Sequence, residues 1–383
     1  MRQDKKRRSS RQGWIAMLLS LLMGGFAGVL LLNFIHSLGD SLSLGQRLLL
    51  FALTLFSFYV ALLLQVVIHE AGHLVFGLLT GYRFLSFRIF SWMLVQEDGT
   101  FRIRRYSLPG TGGQCLMIPP PLRGGTMPVL LYNFGGAILN LVTAALFFAL
   151  SLLLPPSSFL RLFLRLLALA GVYGALTNGV PLHLGPVDND GCNALTLLKS
   201  KDAVRVFWVQ LKMMEALSLG HRLKDMPEDW FSLPAEDAVS ANLFFSAQAL
   251  ASARLVDAHR FAEADELMAR LLADEGAGMG LSRGQLTCDR IFVELIGPKR
   301  PEVLEGFLTK EQQKLMKTMK TNLSVLRTAY ALALLSEKDA AKAQKIAADF
   351  DRVAARHPYP CEAKGERELM QLARDAAAVQ PPV

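Results

Sequence analysis

A metal-ligand spacing lies inside an apolar helix of membrane length, and this combination limits the possible folds more than any other feature. The pentapeptide His69-Glu70-Ala71-Gly72-His73 follows the uncharged run Leu48–Ile68 and continues into the apolar stretch Leu74–Leu79. Ionisable side chains are costly at membrane depth and are usually functional there. Three of them within five residues therefore indicate a functional site rather than packing.

The spacing of the two histidines suits a single metal ion. Residues four apart lie above one another on one face of a helix, so His69 and His73 can bind one Zn²⁺. Glu70 can take a proton from a zinc-activated water. Two histidines at the wet end of a membrane helix are the simpler alternative, which the position of the motif inside the span disfavours. Zinc needs at least a third protein ligand, so the sequence must supply one elsewhere.

Four apolar segments are candidates for crossing a bilayer. A helix needs about 20 apolar residues to cross the ~30 Å hydrocarbon core. Three uncharged runs reach this length and a fourth is borderline: Gly13–Ile35, Leu48–Ile68, Met127–Leu160 and Leu166–Leu182. The first run follows basic residues but lacks a clean cleavage site, so we interpret it as an uncleaved anchor rather than a signal peptide.

The distribution of charge predicts the orientation in the membrane. Lysine and arginine are concentrated in the N-terminal tail, between spans two and three, and after span four. By the positive-inside rule, we expect a multi-pass protein of the cell membrane with both termini in the cytoplasm. The net charge of +8 fits this bias and attraction to anionic lipid, and no pattern indicates nucleic-acid binding. The four widely spaced cysteines are predicted to be free thiols.

The segment between spans two and three is predicted to be non-helical. Alternating apolar and polar residues on both sides of Glu97-Asp98-Gly99 predict short strands around a turn. The stretches Pro109–Gln114 and Pro119–Pro121 cannot form regular helix. Two interpretations stay open: a surface loop with glycine turns, or a loop whose preceding strands receive an extended substrate by edge pairing.

Further polar residues near the other spans are candidates for the same site. Asn140 lies in the third span, where an amide is expected to face a polar partner. After the fourth span, either Asp188 or Asp190 could supply the third zinc ligand, and Gly191 allows a close backbone approach. His183 is a competing ligand, which we interpret either as supporting the site from behind a ligand or as lying at the membrane interface, rather than as binding the metal.

These motifs together resemble the site-2 protease family of intramembrane zinc metalloproteases, over roughly Leu48–Leu198. His69-Glu70-x-x-His73 is similar to the zinc motif of that family, which lies within a membrane helix. The third span is similar to its G-P-x-x-N motif through Gly136 and Asn140, with Ala137 in place of the proline. The end of the fourth span is similar to its N-x-x-P…D-G motif through Asn178, Pro181, Asp190 and Gly191, with Asn189 in place of the usual apolar residue.

The resemblance implies an activity and roles for residues. One Zn²⁺ per chain would be held by His69, His73 and Asp190, with Glu70 as general base and Asn140 holding the substrate backbone or the oxyanion. The implied function is a metalloendopeptidase that cuts in or near a transmembrane or signal-peptide-like segment of a membrane protein. The alternative is a catalytically silent scaffold of the same fold. A zinc transporter is disfavoured because the ionisable residues cluster at one depth.

The C-terminal half is predicted to be soluble and helical. Phe244–Leu272 and Leu326–Val353 each indicate a pair of helices, offset by about 79 residues with room for another pair at Ser282–Met319. This arrangement is typical of tetratricopeptide-like hairpins, and a plain helical bundle stays open. We therefore predict a mainly α protein with a membrane domain at 1–198 and a cytoplasmic helical domain at 199–383. The second domain is expected to present substrate or to recruit a protein partner.

Overall fold

The structure is a computed structural model that describes residues 2–39, 42–97, 99–106, 111–181, 188–232, 239–274 and 280–378. Within these ranges the chain is mainly helical with a small antiparallel β part, which confirms the predicted fold class. The helices are α1 Arg2–Ser37, α2 Leu44–Leu79, α3 Leu130–Leu152, α4 Phe159–Gly179, α5 Asp190–Leu197, α6 Lys201–Ser218, α7 Ala241–Asp257, α8 Phe261–Ala273, α9 Gly280–Ile296, α10 Pro301–Phe307, α11 Lys310–Thr318, α12 Leu323–Ala331, α13 Ala340–Ala354 and α14 Pro360–Ala378. The strands are β1 Arg83–Ile89, β2 Trp92–Glu97, β3 Thr100–Arg105 and β4 Gly113–Ile118.

Among the described residues, four helices are long and apolar enough to cross a membrane, as predicted. They are Gly13–Ser37 within α1, and the whole of α2, α3 and α4. The boundaries of the third and fourth spans differ from the predicted ones. The uncharged run Met127–Leu160 contains the third span, a turn and the start of the fourth span. The turn includes Pro155 and Pro156, which cannot donate the hydrogen bonds that would continue α3.

Two arginines consequently lie inside α4 rather than before it. Arg161 Nη1 donates to the carbonyl of Leu154 at 2.8 Å, and Arg165 Nε donates to Ser151 Oγ at 3.5 Å. Both guanidinium groups thus reach back to the end of α3, where helix carbonyls lack partners within their own helix. These contacts join the start of α4 to the last turn of α3 and to the turn that follows it.

Helix α2 carries the histidine motif, and both of its ends are defined by local sequence. At its start Ser43 and Gln46 form a capping box, in which each side chain bonds the other residue's backbone N–H. At its end Gly81 adopts a φ of 88°, a left-handed conformation that favours glycine. The 36 residues span roughly 54 Å at about 1.5 Å per residue, more than the ~30 Å hydrocarbon core, so α2 must tilt or emerge.

The chain forms two compact units. The first comprises Met1–Ile89 and Gly110–Lys199, and it contains the four long apolar helices and the β1–β4 pair. The second comprises Phe90–Pro109 and Ser200–Val383, with the β2–β3 hairpin and helices α6 to α14. The assignment of a membrane domain to 1–198 and a cytoplasmic domain to 199–383 stays a prediction.

Strand β4 was not expected from the sequence. Residues 110–114 were interpreted as irregular backbone, yet Gly113 and Gln114 begin a strand that pairs antiparallel with β1, where Phe87 lies opposite Cys115. Gly110 lies outside the described residues. The strand forms because its partner supplies the hydrogen bonds, which outweighs the low strand propensity of glycine.

In the second unit the helix pairs follow the sequence prediction. Helices α7 and α8 are separated at residues 258–260, and α13 begins four residues after a π-helical turn, Leu332–Ser336, that continues α12. The expected intervening pair is instead three helices, α9, α10 and α11. Their apolar faces form a shared core that includes Phe245, Ile291 and Phe350. The tetratricopeptide-like character stays a prediction.

In the first unit α2 and α3 approach each other at backbone distance. A Cβ on Gly72 would lie 2.3 Å from the carbonyl oxygen of Gly135, and a Cβ on Gly135 would lie 2.6 Å from that of Gly72. Only glycine permits this contact, which is the small-residue packing expected between membrane helices.

We predict that Gly72→Ala destabilises the first unit, because the new methyl group meets backbone that cannot move aside. The cost expected for such overpacking is roughly 1–3 kcal/mol. Thermal unfolding of the detergent-purified protein measures it. Gly28→Ala in α1 is the matched control, since its Cβ would meet nothing within 4 Å. Equal unfolding midpoints for both variants would contradict the prediction.

Candidate metal centre

Three potential ligand atoms converge where α2 meets the start of α5. Asp190 Oδ2 lies 2.9 Å from His69 Nε2 and 3.4 Å from His73 Nε2, and the two Nε2 atoms are 3.2 Å apart. Tetrahedral zinc with ligands at about 2.0–2.1 Å places its donor atoms roughly 3.3 Å from one another. The spacing therefore fits three of the four ligand positions of a zinc site.

Both imidazoles are oriented by hydrogen bonds to residues of α3. His73 Nδ1 donates to the carbonyl of Tyr132 at 2.7 Å, and His69 Nδ1 donates to Asn140 Oδ1, also at 2.7 Å. Protonation at Nδ1 leaves the Nε2 lone pair of each ring free to bind a metal. Such a hydrogen bond on the far side of the ring is the usual support of a metal-binding histidine.

A side chain that the sequence analysis did not single out, Gln65, fixes the orientation of Asn140. Its Nε2 donates to the carbonyl of Leu167 at 3.0 Å, so its Oε1 must be the atom that accepts from Asn140 Nδ2 at 2.6 Å. Asn140 Nδ2 also donates to the backbone carbonyl of Gln65 at 3.0 Å. The oxygen of Asn140 therefore faces His69, which places the histidine proton on Nδ1.

Asn140 lies behind a histidine rather than at a position open to substrate. Its side chain is fully buried, and both ends of its amide bond to His69 and Gln65. The resemblance implies that Asn140 contacts the substrate backbone or the oxyanion. The observed contacts instead connect it to the orientation of His69.

Glycines make room for this network. A Cβ on Gly136 would lie 2.5 Å from Cε1 of His69, so the imidazole packs directly against the α3 backbone. A Cβ on Gly171 of α4 would lie 2.9 Å from the backbone oxygen of Asn140. Gly136 of the third span thus makes room for the imidazole of His69, in addition to the close helix approach that small residues allow.

The position of Asp190 is set by the residue before it. Asn189 caps α5 by accepting from the N–H of Cys192 at 3.0 Å. Its Nδ2 donates to the carbonyls of Thr177 and Val180, at 2.8 and 2.6 Å. One side chain therefore begins α5 and ties it to the end of α4, with Asp190 in the first turn.

Of the two aspartates predicted as ligands, the structure brings Asp190 to the histidines. The cluster of potential ligands among the described residues is His69, His73 and Asp190, and Asp188 is not part of it. Gly191 packs so closely that a Cβ would lie 2.3 Å from the carbonyl oxygen of Gly179. His183, the competing ligand, lies outside the described residues.

Asp190 is held in the ionised form. Burial alone would raise its pKa, but the neighbouring imidazoles of His69 and His73 outweigh that effect when they are protonated, and they hold the pKa below its ordinary value. A carboxylate must be deprotonated to bind a metal. The electrostatics of the cluster thus favour the metal-binding state of this ligand.

Glu70 lies beside the cluster and against β4. A Cβ on Gly113 would be 2.5 Å from both Cγ and Oε1 of Glu70, and the backbone of Cys115 hydrogen-bonds to the carboxylate. The carbonyl of Cys115 accepts from the Tyr132 hydroxyl at 2.9 Å. The backbone edge of β4 at Cys115 therefore faces the side chains of the candidate metal centre. Burial raises the pKa of the Cys115 thiol to about 12, so this cysteine stays neutral.

The backbone before β4 is held by a buried arginine. Arg88 of β1 is 1% exposed, and its Nη2 donates to Thr111 Oγ1 at 2.6 Å and to the carbonyl of Gly113 at 3.4 Å. This anchors residues 111–113 next to Glu70. All four cysteines of the chain are free thiols, as predicted.

Gln65 and Gly113 are the residues of the site that sequence reasoning missed. Gln65 carried a detectable signal, because it is an amide inside an uncharged run, one helical turn before His69. Gly113 belongs to the glycine-rich segment that the sequence offers as a receiver of extended substrate, but its contact with Glu70, 43 positions away, carried no local signal.

Two histidines, an aspartate and a glutamate on and beside membrane-length helices define the site of a membrane metallopeptidase. The family model described as Peptidase family M50 matches residues 57–346, which include all four of these side chains. The chain therefore belongs to peptidase family M50, the site-2 protease family, whose members are in general zinc-dependent metallopeptidases of membranes. No curated protein and no solved structure gave a match.

We predict that Asn140→Leu lowers the affinity for zinc by about 10–100-fold, the range for loss of a group that orients a ligand. The change removes the acceptor of the His69 proton and leaves the three ligand atoms in place. Competition with a chelator on purified protein measures the affinity. Thr143→Val is the matched control, because the hydroxyl of Thr143 bonds to carbonyls of its own helix. Equal affinities in the two variants would refute this role.

Proposed function

We propose that the protein is an intramembrane zinc metalloendopeptidase. Its substrate is a membrane protein, cut in or near a transmembrane or signal-peptide-like segment. The observation that carries the proposal is the convergence of His69, His73 and Asp190 within hydrogen-bonding distance of one another on elements that pack with membrane-length helices. Membership of family M50 supports it.

The three ligand atoms fit one zinc ion per chain. When bound, zinc polarises the scissile carbonyl and lowers the pKa of water toward about 7. Glu70 accepts a proton from the attacking water and passes it to the leaving amine. Asn140 acts through His69, by keeping the imidazole proton on Nδ1. It is therefore a positioning residue in this proposal.

The substrate must be extended at the cleavage site, because helix carbonyls are engaged in hydrogen bonds. We propose that it lies along residues 111–113, which are next to Glu70 and partly exposed. Further along β4, the N–H and carbonyl of Cys115 already bond to Glu70 and Tyr132. Backbone pairing is thus proposed for the segment before Cys115.

The proposed topology follows from the four spans and the charge distribution. Both termini face the cytoplasm, which places the helical second unit on that side of the cell membrane. There it presents substrate or recruits a protein partner. The alternative function, a catalytically silent scaffold, shares this topology but needs neither Glu70 nor the metal.

We predict that Gly113→Ala lowers peptide hydrolysis without lowering zinc content. The added Cβ displaces the Glu70 carboxylate but touches none of the three proposed ligands. Glu70→Gln sets the reference for loss of the base, about 10²–10⁴-fold in turnover. Zinc is measured by mass spectrometry, and hydrolysis with fluorescein-labelled casein as an unfolded polypeptide in detergent.

Gly28→Ala in α1 is the control for a glycine-to-alanine change outside the proposed site, since its Cβ would meet nothing within 4 Å. It is expected to keep normal turnover. Full activity of Glu70→Gln would exclude the proposed mechanism. Absence of zinc-dependent hydrolysis in the wild type and in every variant would favour the scaffold.

A further inference from the structure

The second unit contains a cavity of about 560 Å³ that is lined entirely by its own residues. Five of its helices, α6, α7, α9, α12 and α14, contribute to the walls. Ligand sites in proteins commonly have volumes of about 300–1,000 Å³. The cavity is therefore large enough for one long side chain and part of the backbone that carries it.

The walls carry more negative than positive charge. Two arginines and four carboxylates line the cavity: Arg222, Arg327, Asp257, Asp289, Glu362 and Glu366. Arg222 is already engaged, since its guanidinium contacts Asp257 and Glu368, both at 2.5 Å. A ligand therefore meets a net negative wall.

Two buried polar atoms of the wall, Arg327 Nε and Glu366 Oε2, have no hydrogen-bond partner among the described residues. Arg327 is 1% exposed and bonds to Asp289 at 2.5 Å, while its Nε finds no acceptor among the described residues. Its Nη1 lies 3.3 Å from Glu366 Oε2, an oxygen that receives no hydrogen bond from the part of the chain described. A buried carboxylate oxygen without a hydrogen bond is unusual, and Glu366 Oε2 can accept one from a ligand that carries a donor.

Glu362 lies one helical turn before Glu366, and its nearest basic side chain does not neutralise its charge. His357 Nε2 is 3.5 Å from Glu362 Oε2, but burial lowers the pKa of His357, so the imidazole is neutral at pH 7. Burial and repulsion from neighbouring carboxylates raise the pKa of Glu362 and of Glu366 to about 7. A cation placed near them would favour their ionised forms.

Apolar side chains continue the wall away from these carboxylates. Phe245, Leu286, Leu323 and Leu369 line the same cavity. An aliphatic stem that ends in a cation, as in lysine or arginine, matches both parts of this surface. An anion would be repelled, and an uncharged ligand would leave Glu362 without a positively charged partner.

We propose that this cavity binds a lysine or arginine side chain of an extended polypeptide, with its charged end at Glu362 and Glu366. Its aliphatic stem packs against the leucines of α9 and α14. Segments that flank membrane spans on the cytoplasmic side are rich in lysine and arginine. The identification of the ligand with the flank of a membrane substrate rests on the proposed function, whereas the binding itself does not.

Fluorescence anisotropy of labelled nonapeptides tests the site on the full chain in detergent. The Glu70→Gln background removes any cleavage, so the result is independent of the protease activity. The peptides are a lysine–serine nonapeptide and the same sequence with every lysine replaced by glutamine or by glutamate. The variant Glu362→Gln/Glu366→Gln removes the two charges with little change in shape. The control Glu302→Gln/Glu305→Gln removes the same charge from the exposed face of α10.

The lysine peptide is expected to bind the unmodified cavity and to lose at least about tenfold in affinity with Glu362→Gln/Glu366→Gln. The α10 control is expected to keep its affinity. Unfolding midpoints verify that both double variants are folded. Equal losses in the two variants would show attraction by net charge alone and overturn the proposal. Equal binding of the lysine and glutamine peptides would also overturn it.

Discussion

The candidate metal centre depends on two hydrogen bonds that the imidazoles donate to the α3 segment. Because no water can satisfy polar groups inside a bilayer, each buried donor there needs a protein acceptor. The chain from Leu167 through Gln65 and Asn140 to His69 meets this condition at every step. His73 meets it through the carbonyl of Tyr132. The two rings therefore present unprotonated Nε2 atoms to the same point.

These hydrogen bonds require helices that touch through their backbones. The contact between Gly72 and Gly135 sets the distance between α2 and α3, and the adjacent Gly136 receives the His69 ring. Any side chain at these positions would push the imidazole away from Asp190. The glycines thus contribute to the chemistry through spacing, in addition to their effect on helix packing.

The helical parts of the fold could be predicted because their signals are local. The apolar runs, the histidine spacing and the helix pairs of the C-terminal half all repeat within a few residues. Strand β4 could not be predicted, because it depends on pairing with β1 and its first residue is glycine. The break between α3 and α4 was missed since the whole run is uncharged, although it contains two prolines.

The candidate site, like the fold, could be predicted only where its signals are local in the sequence. His69, Glu70 and His73 follow from one motif. The residues alone left Asp188 and Asp190 open, and the resemblance favoured Asp190, which the structure brings to the histidines. The position of Asp190 depends on Asn189, which caps α5 and bonds to the end of α4. The net charge of the cavity wall in the second unit could not be predicted from the sequence either, because its ion pairs join residues that are far apart along the chain.

The zinc content of the purified protein tests the central claim most directly. We expect about one zinc per chain in the wild type and in Asp188→Asn. We expect its loss in His69→Ala and in Asp190→Asn, because each change removes one of three converging ligand atoms. A wild type that binds no zinc after reconstitution, or an Asp190→Asn variant that binds it normally, would contradict the account.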